Sequence, residues 1–468
     1  MALVATTAAP TATVHQAYRF ALDATPRQQG RLASATGGAR FAFNWGLELV
    51  KQRLDQRNAG EDVQVPWTLP ALRREWNRAK YQVAPWWWQN SKEAYSSGLD
   101  ALERALQNFT DAKQGRRAGA RMGFPTRKRK GRSREACRFT TGTIRVEPGR
   151  HHVVLPRLGR LRTHESTRKL ARRLEHGTAR ILSATISRQG GRWFVSFTCQ
   201  LQRAVSGPRR PAERIGVDVG IRHLAVLSDG RRVANPAPLE RAQRRLRRLN
   251  RQLARRLGPR APDGSRRVPS AGWRQTKVRL ARAHARVANL RRNGLHQLTS
   301  ELAATYGTVV IEHLNVAGML RNRRLARRIA DAGFGELRRQ LGYKTTWAGG
   351  MLVQADTFYP SSKTCSGCGH VKAKLPLSER IYRCECCGLV ADRDLNAARN
   401  LAQLVTVTVV AGSGPETRNA RGAEVRPGLA GLTAVNREAG TGRRPDETGT
   451  AGAQAPTARI TVVHRWSG

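Results

Sequence analysis

Cys365-Ser-Gly-Cys368 and Cys384-Glu-Cys-Cys387 make two Cys-x-x-Cys pairs with fifteen residues between them, and the acidic run Ala391-Asp-Arg-Asp394 follows directly. No other feature constrains the fold as tightly. Four thiolates at that spacing close a tetrahedral site around Zn²⁺ at about 2.3 Å per Zn–S bond and leave no position for substrate. The expected metal is therefore structural, with the chemistry beside it. A disulfide framework would spread its cysteines along a secreted chain, whereas five of the seven cysteines crowd into this cluster. Cys386 adds a thiol that could compete as a ligand; Cys365, Cys368, Cys384 and Cys387 keep the two-residue spacing and are the expected set.

At 468 residues the chain exceeds the ~250–300 residues at which single cores stop growing, so more than one domain is expected. Lysine and arginine number 84 against 33 acids, a formal net charge of +51. A cationic field of that size calls for a polyanionic partner, with nucleic acid the default. No run approaches the ~20 apolar residues that span a bilayer, and Met1-Ala-Leu-Val-Ala-Thr-Thr-Ala-Ala-Pro10 lacks the charged and apolar regions of a signal peptide. The expected location is the cytoplasm, where thiols stay reduced.

Residues 1–13 read as an unstructured leader, followed by the strand-like His15-Gln-Ala-Tyr-Arg-Phe-Ala-Leu22. Thr25-Pro26-Arg27-Gln28 has the form of a capping box with proline at the first helical position. Helical patterns then run to about 115, with interruptions expected at Gly37-Gly38 and in a loop over 58–70. Trp45, Trp67, Trp76 and Trp86-Trp87-Trp88 make this region aromatic-rich; most should pack between helices and a minority should offer a stacking surface to bases. From Arg121 a basic loop leads into alternating segments such as Trp193-Phe-Val-Ser-Phe-Thr, which predicts an antiparallel β domain to about 205. A hairpin is expected over 214–230, then two arginine-studded helices at about 237–257 and 273–306, the first striped by Leu246, Leu249, Leu253 and Leu257. Thr308-Val-Val-Ile-Glu312 reads as a strand covered on both faces. A helix at 334–348, a strand at 351–358 and a helix at 393–404 complete the expected order, and the Gly- and Arg-rich remainder is expected to be disordered.

Three acids stand where a sheet normally hides apolar residues: Asp218 in Gly-Val-Asp-Val-Gly, Glu312 in Val-Val-Ile-Glu-His, and Asp394 in Asp-Arg-Asp-Leu-Asn-Ala-Ala. A buried carboxylate needs a cation, hydrogen bonds or water. If the strands of Asp218 and Glu312 are neighbours and the helix of Asp394 packs beside them, one solution serves all three. The acids would share two Mg²⁺ ions about 3.5–4 Å apart, a pair suited to phosphodiester hydrolysis. Taken singly, Asp218 could be a hairpin-edge acid, Glu312 a salt-bridge partner and Asp394 a helix N-cap. Asp392 competes with Asp394 for the ligand role. No Gly-Lys-Ser phosphate loop accompanies them, which argues against an ATP-driven enzyme.

In order and spacing, Ile215-Gly-Val-Asp218-Val-Gly, Val310-Ile-Glu312-His-Leu-Asn315-Val, Tyr359-Pro-Ser-Ser-Lys-Thr-Cys365-Ser-Gly-Cys368-Gly and Tyr382-Arg-Cys384-Glu-Cys-Cys387-Gly with Asp392-Arg-Asp394-Leu-Asn-Ala-Ala-Arg-Asn resemble the TnpB or OrfB-type proteins of bacterial insertion sequences, relatives of type V CRISPR effector nucleases. The resemblance spans about 15–404. It implies a multidomain α/β protein: a β wedge-like domain over 14–24 and 122–205, a helical recognition domain over 25–121, an RNase H-like, RuvC-type nuclease over 212–359 and 389–404, an inserted zinc ribbon over 360–388, and a mostly disordered tail over 405–468. It also implies that Asp218, Glu312 and Asp394 form the magnesium-binding catalytic triad. The implied partners are a guide RNA from the element's own end and a double-stranded DNA target, with pairing supplying sequence specificity, in a bacterial, nucleoid-associated setting. Two other functions use similar residues: a transposase performing strand transfer itself, and an inactive nucleic-acid-binding regulator. The intact acid set argues against the second.

Overall fold

In the computed structural model, which describes residues 11–117, 122–257, 268–376, 378–404 and 409–410, the chain divides into two units. One holds the described residues of Thr11–Ala204 with Arg244–Arg286, the other those of Val205–Gln243 with Val287 onward.

The first unit starts with β1 (Thr11–Asp23), so the strand takes in three residues assigned to the leader; residues 1–10 lie outside the described residues. The Thr25 hydroxyl accepts from Gln28 N at 3.3 Å and the Gln28 side chain accepts from Thr25 N at 3.0 Å, which closes the expected capping box and starts α1 (Pro26–Asn58). This helix runs unbroken through Gly37-Gly38, against the expected interruption. A Cβ on Gly38 would lie 3.2 Å from the Tyr95 ring, and one on Gly98 would lie 2.1 Å from the Ala39 carbonyl. The glycines there bring two helices together instead of turning the chain. After α2 (Leu69–Val83) and α3 (Lys92–Lys113) come β2 (Ala136–Phe139), β3 (Arg145–Val146), β4 (His152–Leu155), β5 (Gly159–Thr163), α4 (Arg168–Glu175), β6 (Ala179–Gln189) and β7 (Arg192–Ala204). The strands form one seven-stranded sheet, β2-β6-β7-β1-β5-β4-β3, and each pairing in it is antiparallel. Its core gathers Phe20, Phe139, Val195 and Phe197. Trp76 is buried with Tyr95, while Trp86 and Trp88 are exposed.

The second unit is built on β8 (Arg210–Val219), β9 (His223–Leu227) and β10 (Arg232–Ala234), then the start of α5 (Pro238–Leu257) as far as Gln243, the part of α6 (Ala271–Thr305) from Val287, β11 (Tyr306–Ile311), α7 (Val316–Met319), α8 (Ala326–Ala332), α9 (Phe334–Trp347) and β12 (Met351–Gln354). β13 (Ile381–Arg383) pairs with β14 (Val390–Asp392), and α10 (Arg393–Ala402) precedes β15 (Val409–Val410). The sheet order is β10-β9-β8-β11-β12-β15, with β8, β11 and β12 mutually parallel. Beneath lie Val217, Val309, Ile311, Leu298, Leu302 and Leu341. Buried Asp331 accepts from Leu239 N at the start of α5 and pairs with Arg291 at 2.7 Å, which satisfies its charge. β12 ends at Gln354 instead of 358, because Asp356 turns the chain by accepting from Phe358 N at 2.9 Å. Of the expected tail, Val409–Val410 form a strand against β12; 405–408 and 411–468 lie outside the described residues. No helix among the described residues is long and apolar enough to cross a membrane.

Candidate active site and metal centre

Parallel pairing sets the level of the acids. Val217 of β8 stands opposite Ile311 of β11, so Asp218 and Glu312, one residue on, share the carboxyl end of the sheet, where open α/β sheets bind ligands. Asp394 arrives from the first turn of α10, and Gly216 determines how near. A Cβ at Gly216 would fall 1.9 Å from the Ala398 carbonyl oxygen of α10. Only glycine lets this helix lie against the strand of Asp218.

The structure separates the two neighbouring aspartates by role. Asp392 caps α10, accepting from Asp394 N at 3.0 Å and Leu395 N at 3.1 Å, and pairs with Arg232 at 3.0 Å. Its oxygens are thus engaged, while Asp394 lies past the cap. Burial lifts the Asp218 carboxyl well above the usual range, and the charges of Glu312 and then Asp394 lift it further, against the pull of Arg393. Burial also raises Glu312, opposed by a hydrogen bond from Ser361 and by Arg393. Asp218 therefore feels both other acids, and Glu312 feels Asp394. They are not as close as the thiols: among the described residues, only the four cysteines place their ligand atoms all within 4.8 Å. Like charges with no cation between them repel.

Cys365 Sγ and Cys387 Sγ lie 3.6 Å apart, as do Cys368 Sγ and Cys384 Sγ. That is far beyond a disulfide and close to the edge, about 3.8 Å, of a tetrahedron with 2.3 Å bonds. The donor set thus fits a tetrahedral metal such as zinc. Backbone N–H groups of Cys387 and Cys386 point at the Cys384 thiol and pull it down to about 6, which favours the ligating thiolate. Cys386 is exposed and outside the group.

Several residues that sequence reasoning left without a role join the two centres. Buried Asn396 donates to Thr364 O at 2.6 Å and accepts from Ser366 N at 2.9 Å. One turn on, Asn400 donates to Ser361 O at 2.7 Å and Thr364 O at 2.6 Å. Ser361, 3% exposed, hydrogen-bonds Glu312. Arg393 donates to Pro376 O at 2.9 Å. The base of the cysteine ribbon is therefore tied to α10 and to Glu312. The available signal was Asn396 and Asn400 at i, i+4, one helix face.

Family models match the chain in three places: OrfB_IS605, described as "Probable transposase", over residues 196–323; a Cas12f1-like TNB domain over 334–401; and a helix-turn-helix domain over 13–59. Across that last span the structure has a strand and one unbroken helix. A Mycobacterium tuberculosis (strain ATCC 25618 / H37Rv) protein named "Putative RNA-guided DNA endonuclease Rv2885c" is 39% identical over 438 residues, 89% of this chain and 92% of its own length. An Escherichia coli (strain K12) protein, "Putative RNA-guided DNA endonuclease InsQ", is 30% identical over 403 residues, 82% of this chain and 91% of its own. A cryo-EM structure of a Cas12f1–sgRNA–target DNA complex matches with TM-score 0.48 and 12% identity over 83% of this chain and 99% of that one.

Proposed function

The chain belongs to the TnpB-like OrfB family of insertion sequences, and from that premise we propose that it is an RNA-guided DNA endonuclease hydrolysing phosphodiester bonds at Asp218, Glu312 and Asp394. The observation that carries this reading is the convergence of these acids from β8, β11 and α10 on the carboxyl end of the parallel strands, with Glu312 and Asp394 both acting on Asp218 and Asp394 acting on Glu312. Such a set suits divalent cations, and magnesium supplies there an activated water and a stabilised leaving oxygen. The chain's own residues orient the acids: Ser361 holds Glu312, the Asp392 cap orients the first turn of α10, and Arg393 offsets part of the negative charge. The reading takes the sheet unit as RNase H-like, with an inserted ribbon over 360–388 that holds zinc through Cys365, Cys368, Cys384 and Cys387. It assigns the wedge-like and helical recognition roles to 14–24 with 122–205 and to 25–121. A guide RNA and a double-stranded DNA target account for the +51 charge, since phosphate neutralisation serves any sequence while pairing selects one.

The test is purification from cells that carry the element's flanking DNA, sequencing of the bound RNA, and assay of a matching duplex with and without Mg²⁺. The expected result is cleavage that needs both RNA and metal and vanishes in Asp218→Ala. Cleavage surviving that substitution or RNA removal overturns the reading.

A further inference from the structure

Phe358 is 90% exposed. Isolated apolar residues on a surface are common and usually need no explanation, but three observations single this one out. The first is position. Ala355 N donates to Ile311 O at 2.8 Å, level with Glu312, and Ser361 hydrogen-bonds Glu312 itself. The segment between them leaves the acid site and returns to it, with Phe358 midway. Three residues from either anchor at ~3.6 Å each, its Cα lies within roughly 11 Å of both.

The second is rigidity. Phe358 N donates to Asp356 Oδ1 at 2.9 Å and Tyr359 N to Asp356 O at 3.1 Å. Thr357 Oγ1 hydrogen-bonds His313 Nδ1 at 2.7 Å, next to Glu312. The neighbouring Tyr359 turns inward, its hydroxyl 3.5 Å from Asn400 O. The turn thus fixes one ring inside and presents the other to solvent. The third is chemistry. An exposed aromatic face on an anchored backbone can stack on any unpaired base, whatever the sequence, and a nuclease guided by pairing needs contacts of that kind.

We propose that Phe358 is a stacking platform for one unpaired base of the DNA strand entering the acid site, so that it positions the scissile phosphate. This rests on the nuclease reading above. The platform orients substrate and takes no part in bond breaking.

The test uses the full chain loaded with its co-purified guide RNA. Phe358→Ala, which removes almost no buried surface, should melt with wild type but show about tenfold weaker productive binding, seen chiefly in KM, within the range that base stacking carries. Phe358→Trp should keep wild-type values. On DNA strands scanned with single abasic sites, wild type and Phe358→Ala should become equal at one position. The same scan read by quenching of 2-aminopurine, in the Asp218→Ala background, needs no cleavage. Equal rates on intact strands, or a deficit undiminished at every abasic position, overturn the proposal, as does equalisation only by bases missing from the RNA. Cleavage by Asp218→Ala would overturn the nuclease reading alone and leave the quenching scan interpretable.

Discussion

The cysteine cluster and the acid cluster are held by the same helix and the same ribbon base, yet one is closed and the other open. The thiols sit in pairs 3.6 Å apart on two short turns. The acids come from three separate elements; the charges of Glu312 and Asp394 push the Asp218 pKa upward, and that of Asp394 does the same to Glu312. A thiol can stay neutral, so four can crowd before any metal arrives. Ionised carboxylates repel one another, and the three acids do not crowd as the thiols do. Closure suits a site that builds structure; on the nuclease reading, acids held apart suit one that takes substrate.

The largest effect should follow from breaking the open site. Asp218→Ala should lower cleavage of a guide-matched duplex by more than about 10³-fold, beyond the 10–100-fold typical of groups that only support a ligand. RNA binding should be unchanged, because that rests on basic surface. Equal losses of RNA binding and cleavage would mean that Asp218 is a folding residue.

Breaking the closed site should act at a distance. Cys365→Ser, or removal of the tetrahedral metal, should lower cleavage about 100-fold by releasing the ribbon base from Glu312 and α10, with hydrogen exchange rising over 360–388. Added Mg²⁺ should restore activity after a mild chelator strips the acids, but not after loss of the cysteine-bound metal. Metal analysis should give about one zinc per chain. Full activity without zinc would separate the centres.

Gly216→Ala tests what joins them. The new Cβ meets a helix backbone oxygen at 1.9 Å, which no side-chain rotation relieves, so the cost should reach about 3 kcal/mol, the upper end for overpacking. Thermal unfolding should show it, and cleavage should fall further than stability alone explains.

Legibility in the sequence followed the physics of each signal. The capping box at Thr25 and Gln28 is local chemistry and formed as read. The Gly37-Gly38 break did not form; Gly38 instead answers to Tyr95 on another helix, a tertiary fact no local pattern holds. Asp392 and Asp394 were indistinguishable by spacing; the hydrogen bonds to Asp392 identify the cap. Ser361, Asn396 and Asn400 looked like ordinary polar residues, since their partners, the Glu312 carboxylate for the first and backbone oxygens for the others, are brought near only by the fold.

A smaller effect is expected where the join is a single hydrogen bond. Ser361→Ala leaves Glu312 without its donor, so the acid holds its orientation less well, and the Mg²⁺ concentration for half-maximal cleavage should rise about tenfold. Saturating Mg²⁺ should recover most of the rate. A change in maximal rate with no change in the Mg²⁺ requirement would place the serine's role elsewhere.

The smallest effect is on stability in metal-free buffer. Asp218 and Glu312 are raised above their unfolded values in the folded protein, chiefly by burial. The folded state therefore holds more protons than the unfolded one once pH exceeds about 4, and stability falls as pH rises from there through the folded-state pKa values. Asp218→Asn should flatten that decline and melt above wild type near neutral pH, while losing cleavage. Saturating Mg²⁺ binds the folded state only and should stabilise wild type by about 2.7 kcal/mol at 100-fold excess over its dissociation constant, with much less in Asp218→Asn. The cysteine site should add no Mg²⁺ response of its own. A decline with pH as steep in Asp218→Asn as in wild type would show that Asp218 does not hold the extra proton, and the contrast between the open and closed sites would lose its electrostatic basis.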